Sequence, residues 1–235
     1  MDEKMKPCTE KESIDTMQPY YTFHNELENL NKKLLELSSK VEDRVRKAAQ
    51  VILTQDQETI QSIILSDYEI DEMEIEIEED CLKIMALHQP VAGDLRFLIT
   101  VIKINNEIER IADIAVSIAM RVETISKCRP LDVNFDFQTM SEKVTTMLRM
   151  SLDALVRRNA QAAREVFLID DEVDSLRNQA YKHITRMIPA YPLHADCLIN
   201  TYLLARHLER IADRATNIAE EVVYLVEGTI IRTVS

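Results

Sequence analysis

The chain has 235 residues, and its 41 acids against 28 Lys and Arg give a formal charge of −13. Such a surface repels phosphate backbones and anionic lipid, which argues against nucleic acid as a ligand and against docking on a membrane. Two glycines, 46% hydrophobic residues and 5% aromatics suit a helical core and disfavour sheets.

Residues 1–17 are polar with no sustained apolar period and are expected to form a mobile tail. The spacing of Leu27, Leu30, Leu34, Leu37, Val41, Val45, Ala48 and Ile52 predicts a first helix over Tyr20–Leu53. Thr54 and Asp56 break it, and Asp56 offers an N-cap to a second helix that reaches Leu87 and stops before Pro90. Asp94 is expected to cap a third helix ending near Ile125, after which Ser126 to Phe137 read as a loop. A fourth helix follows from Thr139 to Val156, then a turn at Asn159 and a fifth helix from Ala160 to Met187. The segment from Pro189 to Pro192 separates it from a sixth, Leu193 to Val226, with Gly228 as its C-cap. All six prolines are expected where helices start or stop.

The six helices divide evenly. The sequence therefore predicts an all-α fold of two tandem three-helix bundles related by a pseudo-twofold axis, the first over residues 18–126 and the second over 127–235. Cys8, Cys81, Cys128 and Cys197 are widely spaced with no Cys-x-x-Cys pair, which argues against structural zinc and for free thiols in a reducing compartment. With neither a secretory leader nor an apolar run long enough to cross a bilayer, the protein is expected to be cytoplasmic, without membrane insertion.

One stretch is written twice. Glu109-Arg110-Ile111-Ala112-Asp113 returns as Glu209-Arg210-Ile211-Ala212-Asp213, and Ala115, Ile118 and Ala119 return as Ala215, Ile218 and Ala219. A self-match at so long a period marks a tandem duplication. A second acidic pattern precedes each copy: Asp67-Tyr68-Glu69-Ile70-Asp71 aligns with Asp170-Asp171-Glu172-Val173-Asp174. Each copy thus carries two acid-x-x-x-acid pairs, Asp67 with Asp71 and Glu109 with Asp113 in the first, Asp170 with Asp174 and Glu209 with Asp213 in the second. The chain holds eight acid pairs at this spacing, near the number chance gives, so the signal lies in four of them falling at equivalent positions of the duplication.

Acids four apart share a helix face and repel each other. At about 100° per residue, Leu98, Ile102, Val116 and Met120 fall within about 20° of Glu109, so this pair interrupts an apolar stripe. A carboxylate there has to be paired, protonated or metal-bound. The opposing reading is a solvated acidic face, since Asp67 and Asp71 continue through Glu74 and Glu78; Arg177 stands where the first copy has Glu74, so that stripe is not duplicated. The residues alone leave both readings open. A carboxylate set would favour hard cations such as Mg²⁺, Ca²⁺ or Mn²⁺. His207 lies about 160° round the helix from Glu209 and is a poor co-ligand, while His88, His183 and His194 read as ordinary histidines. No histidine has Glu three residues before it, which argues against a ferritin-like di-iron oxidase.

The duplicated Glu-Arg-Ile-Ala-Asp, the run Gln89-Pro90-Val91-Ala92-Gly93-Asp94-Leu95-Arg96 and the segment Ala215-Thr216-Asn217-Ile218-Ala219-Glu220 resemble the PhoU family over roughly residues 20–228. The resemblance implies two three-helix bundles and a non-enzymatic regulator of phosphate uptake and phosphate-starvation signalling. It implies two partners, the ATPase of a phosphate ABC transporter and a sensor histidine kinase. It also implies that Asp67, Asp71, Glu109, Asp113, Asp170, Asp174, Glu209 and Asp213 hold divalent or iron ions, as multinuclear clusters in some members. The alternatives are a metal-dependent enzyme working through the same carboxylates and a metal-free helical adaptor. Exposed apolar positions on the bundles lead us to expect a homodimer.

Overall fold

The computed structural model describes residues 11–129, 133 and 135–232, and leaves the side chains of residues 11–21 and of Asp67 undescribed. Seven α-helices account for almost all of it: α1 Lys11–Thr54, α2 Gln57–Leu65, α3 Asp67–His88, α4 Ala92–Ser126, α5 Phe137–Arg157, α6 Ala160–Ala190 and α7 Ala195–Glu227. The fold is two tandem three-helix bundles, α1 with α2–α3 and α4, then α5 with α6 and α7. Among the described residues no helix is long and apolar enough to cross a membrane.

Local chemistry sets most of the helix ends. Asp56 accepts from the Thr59 amide at 2.9 Å, Asp136 from Thr139 at 2.9 Å, and Asn159 from the amides of Gln161 and Ala162, capping α2, α5 and α6. Gly228 closes α7 with a left-handed φ of 75°, its amide bonded to the Tyr224 carbonyl. The Arg96 guanidinium lies so close to Gly228 that a Cβ there would meet it at 2.6 Å. The Arg96 tip can swing aside, so it is the left-handed φ that favours glycine here.

Several expected boundaries are corrected. α1 begins at Lys11, so residues 11–17 of the expected tail are helical and Pro19 lies inside the helix; residues 1–10 fall outside the described residues. α4 starts at Ala92, with Val91 at its N-cap position and Asp94 in its first turn, so Asp94 faces the positive end of the helix dipole without capping it. α6 runs through Pro189 to Ala190, and a 3-10 turn over Pro192–His194 leads into α7.

The expected second helix is two helices. The backbone leaves helical geometry at Ser66 (φ −92°, ψ 11°), between α2 and α3. A break frees a carbonyl that needs a partner. Arg44, 6% exposed on α1, donates to both the carbonyl and the hydroxyl of Ser66.

Leu30, Leu34, Leu37, Val41, Val45 and Ala48 are fully buried along α1, and each large aliphatic side chain among them contributes about 1.5–3 kcal/mol relative to exposure. The two bundles share one core: α1 packs on α5, and α4 on α7. Across the second contact, Lys103 meets Glu221, Glu107 meets Arg214, and Arg121 meets Asn200. The partners run in opposite directions, stepping outward from Ile111 and Ile211. The α4–α7 crossing is therefore antiparallel and centred on the duplicated pentapeptide, where a pseudo-twofold axis must pass. Ile111, Ala112, Ala115, Ile118, Ala119 and their five counterparts on α7 are at most 1% exposed, and the alanines let the two helices approach closely.

Cys128, just beyond α4, and Cys197, in the first turns of α7, form a disulfide with Cα atoms 6.5 Å apart. This corrects the expectation of free thiols. Antiparallel packing brings the end of α4 to the start of α7, so two cysteines 69 residues apart in sequence become neighbours. Cys81 is free and buried in the core, where burial pushes its thiol up to about 12. Cys8 lies outside the described residues.

Candidate metal site

Each duplicated pair sits where the last helix of its copy lies against the middle one. In the first copy, Asp71 on α3 and Glu109 and Asp113 on α4 place one carboxylate oxygen each within 4.8 Å of one another. Glu109 is half-buried, while Asp71 and Asp113 are exposed, so the cluster lies at the rim of the α3–α4 groove and opens to solvent. Asp67 opens α3 one turn before Asp71, and its side chain is outside the described residues.

Burial raises the Glu109 carboxyl to about 7, and the charges of Asp113, Glu74 and Asp71 add to the effect. A hydrogen bond between Glu109 and Asp113 fits the same picture, with the protonated Glu109 donating. Glu74 is also raised, first by burial and then by Glu78 and Asp71. It belongs to the electrostatics of this site, and its partial burial speaks against the reading of it as part of a solvated stripe. Sequence reading also passed over Asn105, one turn before Glu109 and on the same helix face. It is 1% exposed, its Nδ2 donates to the Glu74 carbonyl at 2.9 Å, and its Oδ1 has no hydrogen-bond partner among the described residues. A gathering of oxygen acceptors with a shared proton suits a hard divalent cation, and Asp71, Glu109 and Asp113 are the residues that would hold it. The cation would neutralise a repulsion that protonation otherwise relieves.

In the second copy Asp170 and Asp174 on α6 lie near enough to Glu209 and Asp213 on α7 for their charges to act on one another, without converging as the first-copy set does. Burial, then Asp213 and Asp174, pushes Asp170 up to about 6. Glu209 and Asp213 are raised as well, chiefly by burial. Here a cation is built in. Arg177 of α6 reaches Glu209 at 3.1 Å and Asp174 at 3.4 Å. Arg206, Arg210 and Arg214 further oppose the rise of Glu209 or Asp213. The first-copy set is the one group among the described residues whose donors converge closely enough for a metal.

The histidines stand apart from both clusters. His207 is held down to about 4 by burial and by Arg210, Arg121 and Arg206, and both its ring nitrogens lack partners among the described residues. His88 pairs with Glu26 at 2.8 Å against the Phe23 ring, a packing role.

Fold and site together define a duplicated helical bundle with a carboxylate cluster at each middle-to-last helix junction. The family model for the PhoU domain matches residues 34–122 and again 137–222. A phosphate-specific transport system accessory protein PhoU homolog of Clostridium acetobutylicum is 34% identical over 207 residues, spanning 88% of this chain and 94% of its own length. A homolog from Methanothermobacter thermautotrophicus is 32% identical over 212 residues, 88% of this chain and 95% of its own. The crystal structure of PhoU from Pseudomonas aeruginosa superposes with a TM-score of 0.84 at 33% identity, covering 88% of this chain and all of that one. The phosphate transport system regulatory protein PhoU from Streptococcus pneumoniae gives 0.81 at 27% identity over 90% of this chain and all of its own. The chain belongs to the PhoU family.

Proposed function

We propose that the chain is a cytoplasmic, non-enzymatic negative regulator of phosphate uptake and phosphate-starvation signalling. It acts by binding the ATPase subunit of a phosphate ABC transporter and a phosphate-sensing histidine kinase. Family membership along both halves of the chain carries this reading: relatives matched over 88% of its length are named accessory proteins of a phosphate-specific transport system.

Two features of the molecule support it. An exposed apolar row on α3, Tyr68, Ile75 and Leu82, is the kind of surface that protein contacts cover, and it is flanked by Glu69, Glu72, Glu76 and Glu79. The first-copy cluster brings carboxylate oxygens of Asp71, Glu109 and Asp113 within 4.8 Å of one another, an arrangement that could hold a divalent cation, with Asp67 adjoining in sequence. The chain works as a homodimer, so light scattering that finds only monomer at micromolar concentration overturns that part.

The test uses the tagged chain as bait in phosphate-replete cells that contain both partners. Recovery of the transporter ATPase and the kinase, with a starvation reporter rising when the chain is deleted, supports the reading. Loss of neither partner from the pull-down of a Tyr68→Asp, Ile75→Asp variant would move the contact off α3. Absence of both from the parent's pull-down overturns the function.

A further inference from the structure

The two copies of a duplication start identical, so a difference between their sites carries information. The family resemblance places a metal in both copies, and the second copy does not fit one. Resting on the cation reading of the first-copy cluster, we propose that Arg177 permanently takes the cation's place in the second copy, so that the protein binds divalent metal in its first half alone.

Position and charge argue for it. Arg177 comes three residues after Asp174, and Glu74 comes three residues after Asp71 at the aligned place. A negative group in one copy is a positive one in the other. Arg177 bridges the two helices of its site, touching Asp174 on α6 and Glu209 on α7 at 3.4 and 3.1 Å. Its side chain is 28% exposed and that of Glu209 16%, so the pair is partly shielded from water. Nη2 makes both contacts, while Nη1 donates to Asn178 at 2.9 Å and Nε is buried with no hydrogen-bond partner among the described residues.

The chemistry is one-way. A guanidinium stays charged at any physiological pH and offers a planar fork of donors that matches carboxylates. A divalent ion entering the second copy would face that fixed positive charge at contact range. It would also have to take Glu209 and Asp174 from it, leaving a partly shielded charge short of its partners. In the first copy the neighbours that act on Glu109 are all acids, Asp113, Glu74 and Asp71, which attract a cation. The α3–α4 groove then responds to metal supply, whereas the α6–α7 groove is locked by an internal ion pair.

Mn²⁺ content tests this, measured on chelator-treated, reloaded and desalted full-length protein. Glu109→Gln with Asp113→Asn should lose the bound Mn²⁺, and Glu209→Gln with Asp213→Asn should retain all of it. Arg177→Glu, which installs the first-copy residue, should bring bound Mn²⁺ close to twice the parent's, and adding Glu209→Gln should remove the gain. Arg177→Gln, near in size and uncharged, serves if the Glu variant does not fold, and should also bind more than the parent. Loss of part of the parent's Mn²⁺ on changing Glu209 and Asp213 overturns the proposal while leaving the first-copy site standing. A folded Arg177→Gln that binds no more than the parent overturns it too. A parent that binds no Mn²⁺ overturns both the proposal and the cation reading beneath it.

Discussion

Arg214 of α7 reaches across the crossing to Glu107 of α4 at 3.2 Å, where the Glu107 side chain is only 15% exposed. Asn217, one turn on, donates to the same carboxylate at 3.3 Å. This polar pair stands beside the Ile111–Ile211 centre of the interface and joins the two copies. Truncating Arg214 to Ala leaves a partly buried carboxylate short of its cation, and is expected to cost about 1–3 kcal/mol in urea unfolding. Lys47, paired with Asp43 on the exposed side of α1, is the contrast: Lys47→Ala should cost less than about 1 kcal/mol. Equal costs would mean that the crossing owes nothing to its charged pair.

The Cys128–Cys197 bond closes a loop of 69 residues between the end of α4 and the start of α7. On the chain-entropy account such a loop lowers the stability of the reduced protein by about 4 kcal/mol relative to the oxidised one. Air-oxidised protein should therefore melt higher than protein held in dithiothreitol, and alkylation should label Cys128 and Cys197 only after reduction. Cys128→Ser should melt identically with and without reductant. A reductant effect that survives in that variant would place its origin elsewhere.

The pH dependence can be assigned a sign. Glu109 titrates at about 7 in the folded protein against an ordinary 4.5, so the folded state holds its proton more tightly. Its contribution is present below about pH 4.5 and lost as pH rises through 7, which makes the metal-free protein less stable toward neutrality in that window. His207 acts oppositely: its folded value of about 4 lies below 6.5, so its contribution is present above 6.5 and lost as pH falls toward 4. The two overlap, and a melt of the parent alone hides both. The measurement is the difference between parent and Glu109→Gln in chelator from pH 4.5 to 7.5. The variant should gain on the parent as pH rises; a flat difference counts against a shared proton at Glu109.

Much of this was legible in the residues. The three-to-four spacing from Leu30 to Ala48 placed the core of α1, and Asp56, Asn159 and Gly228 marked ends that the structure keeps. The break at Ser66 was not legible, because its stabilising partner Arg44 lies 22 residues away in sequence and no proline or glycine marks it. The cysteine pairing was hidden for a similar reason, since it depends on how α4 and α7 cross. The duplication singled out Asp71, Glu109 and Asp113, which the structure brings within 4.8 Å of one another, and projection put Glu109 among apolar neighbours, where it is partly buried. Projection could not show that Asp113 reaches open water at the rim, or that Arg177 would turn inward to its acids.

Divalent metal should raise the melting temperature through the first-copy cluster. Three carboxylates whose oxygens lie within 4.8 Å repel one another, and burial together with that repulsion raises Glu109 to about 7. A cation that binds the folded state alone stabilises it by about 2.7 kcal/mol at a hundredfold excess over Kd. Glu109→Ala with Asp113→Ala removes two of the three ligands, so most of the metal-induced rise should vanish. The same double change also relieves repulsion, so the metal-free variant should melt no lower than the metal-free parent, which separates lost binding from lost folding. Glu72 and Glu76 give the control at identical spacing. Both are exposed on α3, and Glu76 already has Lys33 as a partner at 3.3 Å. Changing that pair to Ala should leave the metal response intact. If both double variants respond to metal as the parent does, the duplicated acids of the first copy are ordinary surface.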